Sequence, residues 1–141
     1  LGDWRTALHL PHHSGAVEYE TTLDVPAAAA GVLDLGHVRG TAEGWLDGEP
    51  LGVRVWRPYR FALGALAQGA RRLRIRVTNT LGTFYEYGRP TSLVGANPAV
   101  TYWDRTDRPE WRAAFPSGGL YGPVRVAWIK DEKPEDAGTT G

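Results

Sequence analysis

Two short runs combine the residue types that a sugar ring would meet. Tyr102-Trp103-Asp104-Arg105 sets two rings, a carboxylate and a guanidinium in four consecutive positions, and Tyr85-Glu86-Tyr87-Gly88-Arg89 repeats the combination upstream. Pyranose rings offer apolar C–H faces and hydroxyl edges, so a site for them needs aromatic platforms beside planar hydrogen-bonding groups. Trp111 lies in the same stretch, and Trp56 with Tyr59 flanks Arg57-Pro58 at the expected end of a strand. Three readings of the aromatic stretch stay open: a ligand platform, a satellite core under a long loop, or a contact with a further domain, since Tyr, Trp and Arg are enriched at interfaces.

Other chemistries are less well supplied. His9, His12 and His13 are close in sequence, but Pro11 denies them a helical i, i+4 arrangement and no Cys or carboxylate nearby completes a zinc set. Asp104, Asp107 and Glu110 could offer oxygens to calcium, without the alternation and central Gly of an EF-hand loop. Glu18, Glu20 and Glu43 could pair as surface carboxylates, but hydrolysis of a glycosidic bond also needs one of two carboxyls kept protonated in a pocket. No Gly-x-Ser-x-Gly elbow, phosphate loop or metalloprotease motif occurs, and the absence of Cys excludes disulfides and thiol catalysis. We expect no catalytic residues, no metal and no cofactor.

The formal net charge of zero provides no global field toward nucleic acid or an anionic membrane, so neither is expected as a partner. Lys occurs only at positions 130 and 133; every other cationic side chain is Arg, which fits either a GC-rich coding bias or a use for planar donor forks. No apolar run is long enough to span a membrane. The chain begins at Leu1 without an initiator Met or a signal peptide, and is read as a mature or excised piece.

The elements that would position these groups are strands. With 141 residues the chain has the size of one domain, and 18 Gly and 10 Pro punctuate it too often for long helices. Positions 15–25 alternate Val17, Tyr19, Thr21, Leu23 and Val25 with polar residues, and 71–80 alternate Leu73, Ile75 and Val77 with Arg72, Arg74 and Arg76. Both predict strands with one buried and one wet face. Pro26 ends the first strand, and the Ala run after it is read as a loop. Short strands are predicted over 31–36, 41–46 and 51–56, with Asp47-Gly48 as a hairpin turn between the last two. Phe61 and Leu63 are expected to dip back to the core, and 123–129 to form the last strand. The predicted fold class is all-β, a sandwich or jelly roll of two antiparallel sheets. Its core is expected to hold Val17, Tyr19, Leu23, Leu73, Ile75, Val77, Val124 and Val126, with Trp4, Trp45 and Trp128 in core or inter-sheet packing. The stretch from Leu81 to Gly119 breaks the strand rhythm and is too aromatic for a disordered segment, so it is read as an ordered excursion. Residues 131–141 read as a disordered polar tail, leaving one domain over 1–130.

In this order and spacing the elements resemble a known pattern. The resemblance is carried by Leu1-Gly2-Asp3-Trp4, Ser14-Gly15 leading to Tyr19, Leu33-Asp34-Leu35-Gly36, Ala42 to Asp47-Gly48 with Leu51-Gly52, Trp56 with Pro58-Tyr59, Leu73 to Asn79, and Ser117 to Val124. It is to the galactose-binding-like jelly-roll accessory domain of bacterial glycoside hydrolases, as in family 2 and rhamnosidase-like enzymes. Asp47 stands where that pattern usually has Asn, a change the turn tolerates. The resemblance implies a secreted or periplasmic parent enzyme whose catalytic domain is a partner, and it allows a structural calcium. It leaves two functions open: a carbohydrate-binding module recognising an oligo- or polysaccharide of plant or microbial origin, or a structural domain that buttresses the catalytic domain and binds no sugar.

Overall fold

The longest strand pair follows from the two alternating segments. In the computed structural model, which describes residues 1–10, 13–80 and 118–129, β2 (Ala16–Val25) and β8 (Gly69–Thr78) pair antiparallel from Ala16↔Thr78 to Val25↔Gly69 without a break. Pairing at even register keeps each apolar set on one side: Leu73, Ile75 and Val77 are buried together, and Val17, Tyr19 and Leu23 pack against them. On the other edge of β8 lies β5 (Thr41–Leu46), followed by β6 (Glu49–Arg54). The Asp47-Gly48 turn joins them as expected, with Asp47 at φ 51°, a left-handed conformation that Asp tolerates. Asp47 also ties the turn to β8: its carboxylate accepts from the Arg72 backbone N–H at 2.8 Å, and its own N–H donates to the Arg72 carbonyl at 2.8 Å. The resulting four-stranded sheet has the order β2-β8-β5-β6.

The second layer is divided. β3 (Ala29–Asp34) lies between β10 (Arg125–Ile129) and β7 (Arg60–Leu66), while β9 (Gly119–Gly122) lies between β1 (Gly2–Asp3) and β4 (His37–Arg39). The break falls where β3 passes to β4 and β9 to β10, and there Gly36 bridges to Gly122. Gly36 has φ 67°, and a Cβ on it would lie 2.6 Å from the Gly122 carbonyl carbon, so the backbones meet this closely only because the position carries no side chain. A single turn of helix, α1 (Trp4–Ala7), follows β1, with Asp3 as N-cap accepting from the Arg5 N–H.

Between the layers, Leu73, Ile75, Val77, Ala42 and Leu46 from the four-stranded sheet meet Leu33, Val38, Phe61, Leu63 and Leu120 from the other side. This is an all-β sandwich. Trp4 closes one end of the core, fully buried. Phe61 and Leu63 are core residues of β7, as predicted, and Trp128 and Val126 pack against the core from β10.

Three expectations are corrected. Val124 is 36% exposed rather than in the core, because Pro123 and Val124 form the break between β9 and β10 and belong to neither strand. Trp45 is not in the core: Ala42, Gly44 and Leu46 take the inward positions of β5, so strand parity turns Trp45 outward. The Ala run is not all loop, since Ala29 and Ala30 already pair with Leu66 and Ala65 as the start of β3. The excursion over 81–117 and the tail 131–141 lie outside the described residues.

Candidate functional site

The outer face of the four-stranded sheet carries the arginine row, and its charges are paired. Glu18 stands opposite Arg76 and Glu20 beside Arg72, with N···O distances of 2.6 and 2.9 Å, and Arg76 also approaches Glu43 at 3.7 Å. The Arg76 hydrogen bonds hold the Glu18 carboxyl below the usual carboxylate range. The Arg74 guanidinium covers the Trp45 ring at 4.3 Å, with Arg76 at 5.3 Å. The ring is thereby capped by cations.

One end of the sandwich gathers different groups. The start of β2, the end of β8, the start of β5 and the end of β6 lie together through the pairs Ala16↔Thr78, Thr41↔Thr78 and Ala42↔Arg54. Beyond β8, Asn79 staples the chain: its side chain accepts from Gly15 N–H and donates to the His13 carbonyl, both at 2.8 Å. Gly118 returns beside it. A Cβ on Gly118 would lie 2.8 Å from the Asn79 Cβ and 2.9 Å from the Trp4 ring, and its carbonyl accepts from the Trp4 N–H at 3.0 Å. Asn79 and Gly118, on either side of positions 81–117, are therefore in contact.

Trp56 lies at the same end, in the connection between β6 and β7, and is 75% exposed, with Val53 and Val55 also open to solvent. Tyr59, three residues on, has the opposite fate. It is buried in the core, and its hydroxyl donates to the Gly40 carbonyl at 2.6 Å, so the fold uses both its ring and its polar tip. The remaining sequence-derived site residues, Tyr85, Tyr87, Arg89, Tyr102, Trp103, Asp104, Arg105 and Trp111, lie outside the described residues, as do the calcium candidates Asp104, Asp107 and Glu110. Among the described residues no cluster of His, Asp or Glu is arranged to hold a metal ion, and no helix is long and apolar enough to cross a membrane.

The outer face of the β1-β9-β4 sheet, also at this end, holds a polar cluster that the sequence did not advertise. His37 and Arg39 alternate on β4 with the buried Val38, and Tyr121 on β9 meets the His37 ring edge-on at 5.0 Å. The Arg57 guanidinium contacts His37 Nδ1. A guanidinium can only donate, so Nδ1 is the acceptor and the imidazole proton sits on Nε2. Burial first, then the charges of Arg57 and Arg39, hold the His37 pKa below the usual histidine value. Burial and the neighbouring Asp3 carboxylate push the Tyr121 phenol up to about 12. Asp3 in turn pairs with Arg5 at 2.5 Å. The one available signal was the polar-apolar-polar order His37-Val38-Arg39; nothing local relates it to Tyr121 or Arg57.

A rhamnosidase from Novosphingobium sp. PP1Y superposes on 82% of this chain with a TM-score of 0.60 and 30% identity, using 11% of its own length. The chain is similar to one part of a larger glycoside hydrolase. A β-glucuronidase from Bifidobacterium dentium shares the fold over 89% of the chain, with a TM-score of 0.58, 22% identity and 23% of the enzyme covered. A family 2 β-galacturonidase from Eisenbergiella tayi matches over 56% of the chain and 14% of its own, at 22% identity and a TM-score of 0.50. The expected resemblance to rhamnosidase-like and family 2 enzymes is thus met, and the chain spans a quarter or less of each of these proteins. No protein-family model matches it, and no curated protein does.

Proposed function

We propose that the chain is a non-catalytic accessory domain of a glycoside hydrolase, secreted or periplasmic, that binds an oligo- or polysaccharide at the end of the sandwich where segment 81–117 is rooted. The observation that carries this reading is Trp56: a large ring 75% exposed on a β-sandwich, at the same end as the base of an aromatic-rich segment. A ring held open to solvent is available for stacking on a sugar face. Trp103, with Asp104 and Arg105, is proposed to share the work from that segment.

A second reading is favoured by a different feature. Val53 on the edge strand β6, and Val55 and Trp56 just beyond its end, are all exposed apolar side chains, as an interface with a catalytic domain would require. In that case the domain is a buttress and binds no sugar.

A glycan array followed by calorimetry with the 141-residue chain separates the two. Under the first reading Trp56→Ala weakens glycan binding by about 1–3 kcal/mol, as loss of a central aromatic anchor does, and leaves the melting temperature unchanged. Trp103→Ala is expected to act in the same way. A well-folded chain that binds no glycan on the array rejects this reading and leaves the buttress.

A further inference from the structure

The polar cluster on the outer face of the β1-β9-β4 sheet contains more positive than negative charge. Asp3 is the one carboxylate the described residues place there, and it is engaged by Arg5 through a two-point contact, Nε at 3.0 Å and Nη2 at 2.5 Å. Arg39 and Arg57 meet no carboxylate among the described residues, in contrast to Arg60, Arg71, Arg72 and Arg76, each of which has an acidic partner. Both are exposed, and both lie near enough to His37 for their charges to act on it. His37 completes the arrangement: Arg57 occupies Nδ1, which leaves the Nε2 proton as a donor. Arg57 is presented by the same short connection as the open Trp56 ring.

Two guanidiniums, a neutral imidazole donor and, one residue before Arg57 in the chain, an exposed indole suit an anion carried on a ring. Guanidinium forks match the planar carboxylate in a two-point geometry that a hydroxyl cannot reproduce. We propose that this face binds a carboxylate-bearing sugar, a uronate residue within a glycan, with Arg39 and Arg57 taking the carboxylate and Trp56 the ring. The inference rests on the carbohydrate reading above and names the class of sugar. The alternative anion on a glycan is a sulfate ester, which the experiment separates.

The test is calorimetry of the 141-residue chain with three probes: oligogalacturonate, the same oligomer fully methyl-esterified, and a sulfated neutral oligosaccharide. The expected result is binding of the free acid that weakens with added salt, with the methyl ester weaker by roughly tenfold or more, since a hydrogen bond to a charged group is lost. Arg39→Gln is expected to lower affinity for the acid by a similar factor at an unchanged melting temperature, because Arg39 makes no ion pair with the described residues. Arg57→Gln and His37→Gln serve as companions, each expected to lower affinity for the acid, since the site uses both the guanidinium and the imidazole donor. Equal binding of acid and ester, or of wild type and Arg39→Gln, overturns the inference while the carbohydrate reading stands. Tighter binding of the sulfated probe replaces the carboxylate. No binding of any glycan removes both readings.

Discussion

The indole nitrogen of Trp4 donates to the hydroxyl of Tyr19 at 2.6 Å, so the residue that plugs one end of the core is bonded to β2, one of the two longest strands, in the opposite layer. Trp4 also packs edge-on against His13 at 5.4 Å and holds Gly118 through its backbone. Tyr19→Phe removes only the acceptor and is expected to cost about 1–3 kcal/mol, the penalty for a buried donor left without a partner. Trp4→Ala empties a closed site and is expected to cost about 3–5 kcal/mol. Urea unfolding of the two variants checks both values; equal losses would show that the hydrogen bond contributes more than the ring.

The His37 pair gives a prediction in pH. Because folding lowers the His37 pKa, chiefly by burial, the unfolded chain binds the proton more readily. The contribution is fully present above the ordinary imidazole value of about 6.5 and is lost as pH falls through the folded value. Thermal melts should therefore decline below neutral pH, and the decline should be shallower in His37→Gln. Asp34 follows a similar rule at lower pH: Arg60 and the Gly36 N–H hold its carboxyl below the usual range, so its share is lost only as the carboxylates titrate. An unchanged acid limb in His37→Gln would assign the neutral-range effect to another histidine.

Tyr121 marks the alkaline side. Its phenol, pushed up to about 12 first by burial and then by Asp3, contributes stability that is complete below about 10 and disappears as pH rises through 12. Burial also raises the Tyr59 phenol, so phenolate absorbance should show a late-titrating component from both residues, and Tyr121→Phe should remove its Tyr121 share.

On the outer face of the large sheet, Glu18→Gln should leave stability nearly unchanged, because exposed ion pairs contribute little. Its effect should appear instead in binding. With Glu18, Glu20 and Glu43 in place, the arginine row is expected not to hold DNA at submicromolar affinity, and a gel-shift assay of the wild type and of the Glu18→Gln/Glu20→Gln variant measures how far the carboxylates are responsible.

The strands were legible wherever one face is wet, because a period of two separates Leu73, Ile75 and Val77 from Arg72, Arg74 and Arg76 without tertiary information. Trp45 misled because its bulk suggests burial, while its parity with Glu43 places it outward; the smaller Ala42 and Gly44 take the inward positions. The division of the second layer was not legible, since it arises from the approach of Gly36 to Gly122, far apart in sequence. The same limit applies to the polar cluster. Trp56 could be singled out from its place after a strand, but His37, Tyr121 and Arg57 come from three separate segments and acquire a shared surface only through the β4–β9 pairing and the connection that presents Arg57.

Asn79 and Gly118 make the base of segment 81–117 a fixed socket. Among the described residues its geometry is set by Gly15, His13 and Trp4, which belong to the sandwich. Closing a longer or shorter segment on such a base changes the closure entropy only slowly, by about 0.6 kcal/mol for each doubling of length. The scaffold can therefore accept exchange of that insert, in size and in sequence, while its own strand register stays fixed. On the proposed function, recognition at this end could thus diversify independently of folding, much as a tool handle accepts different heads.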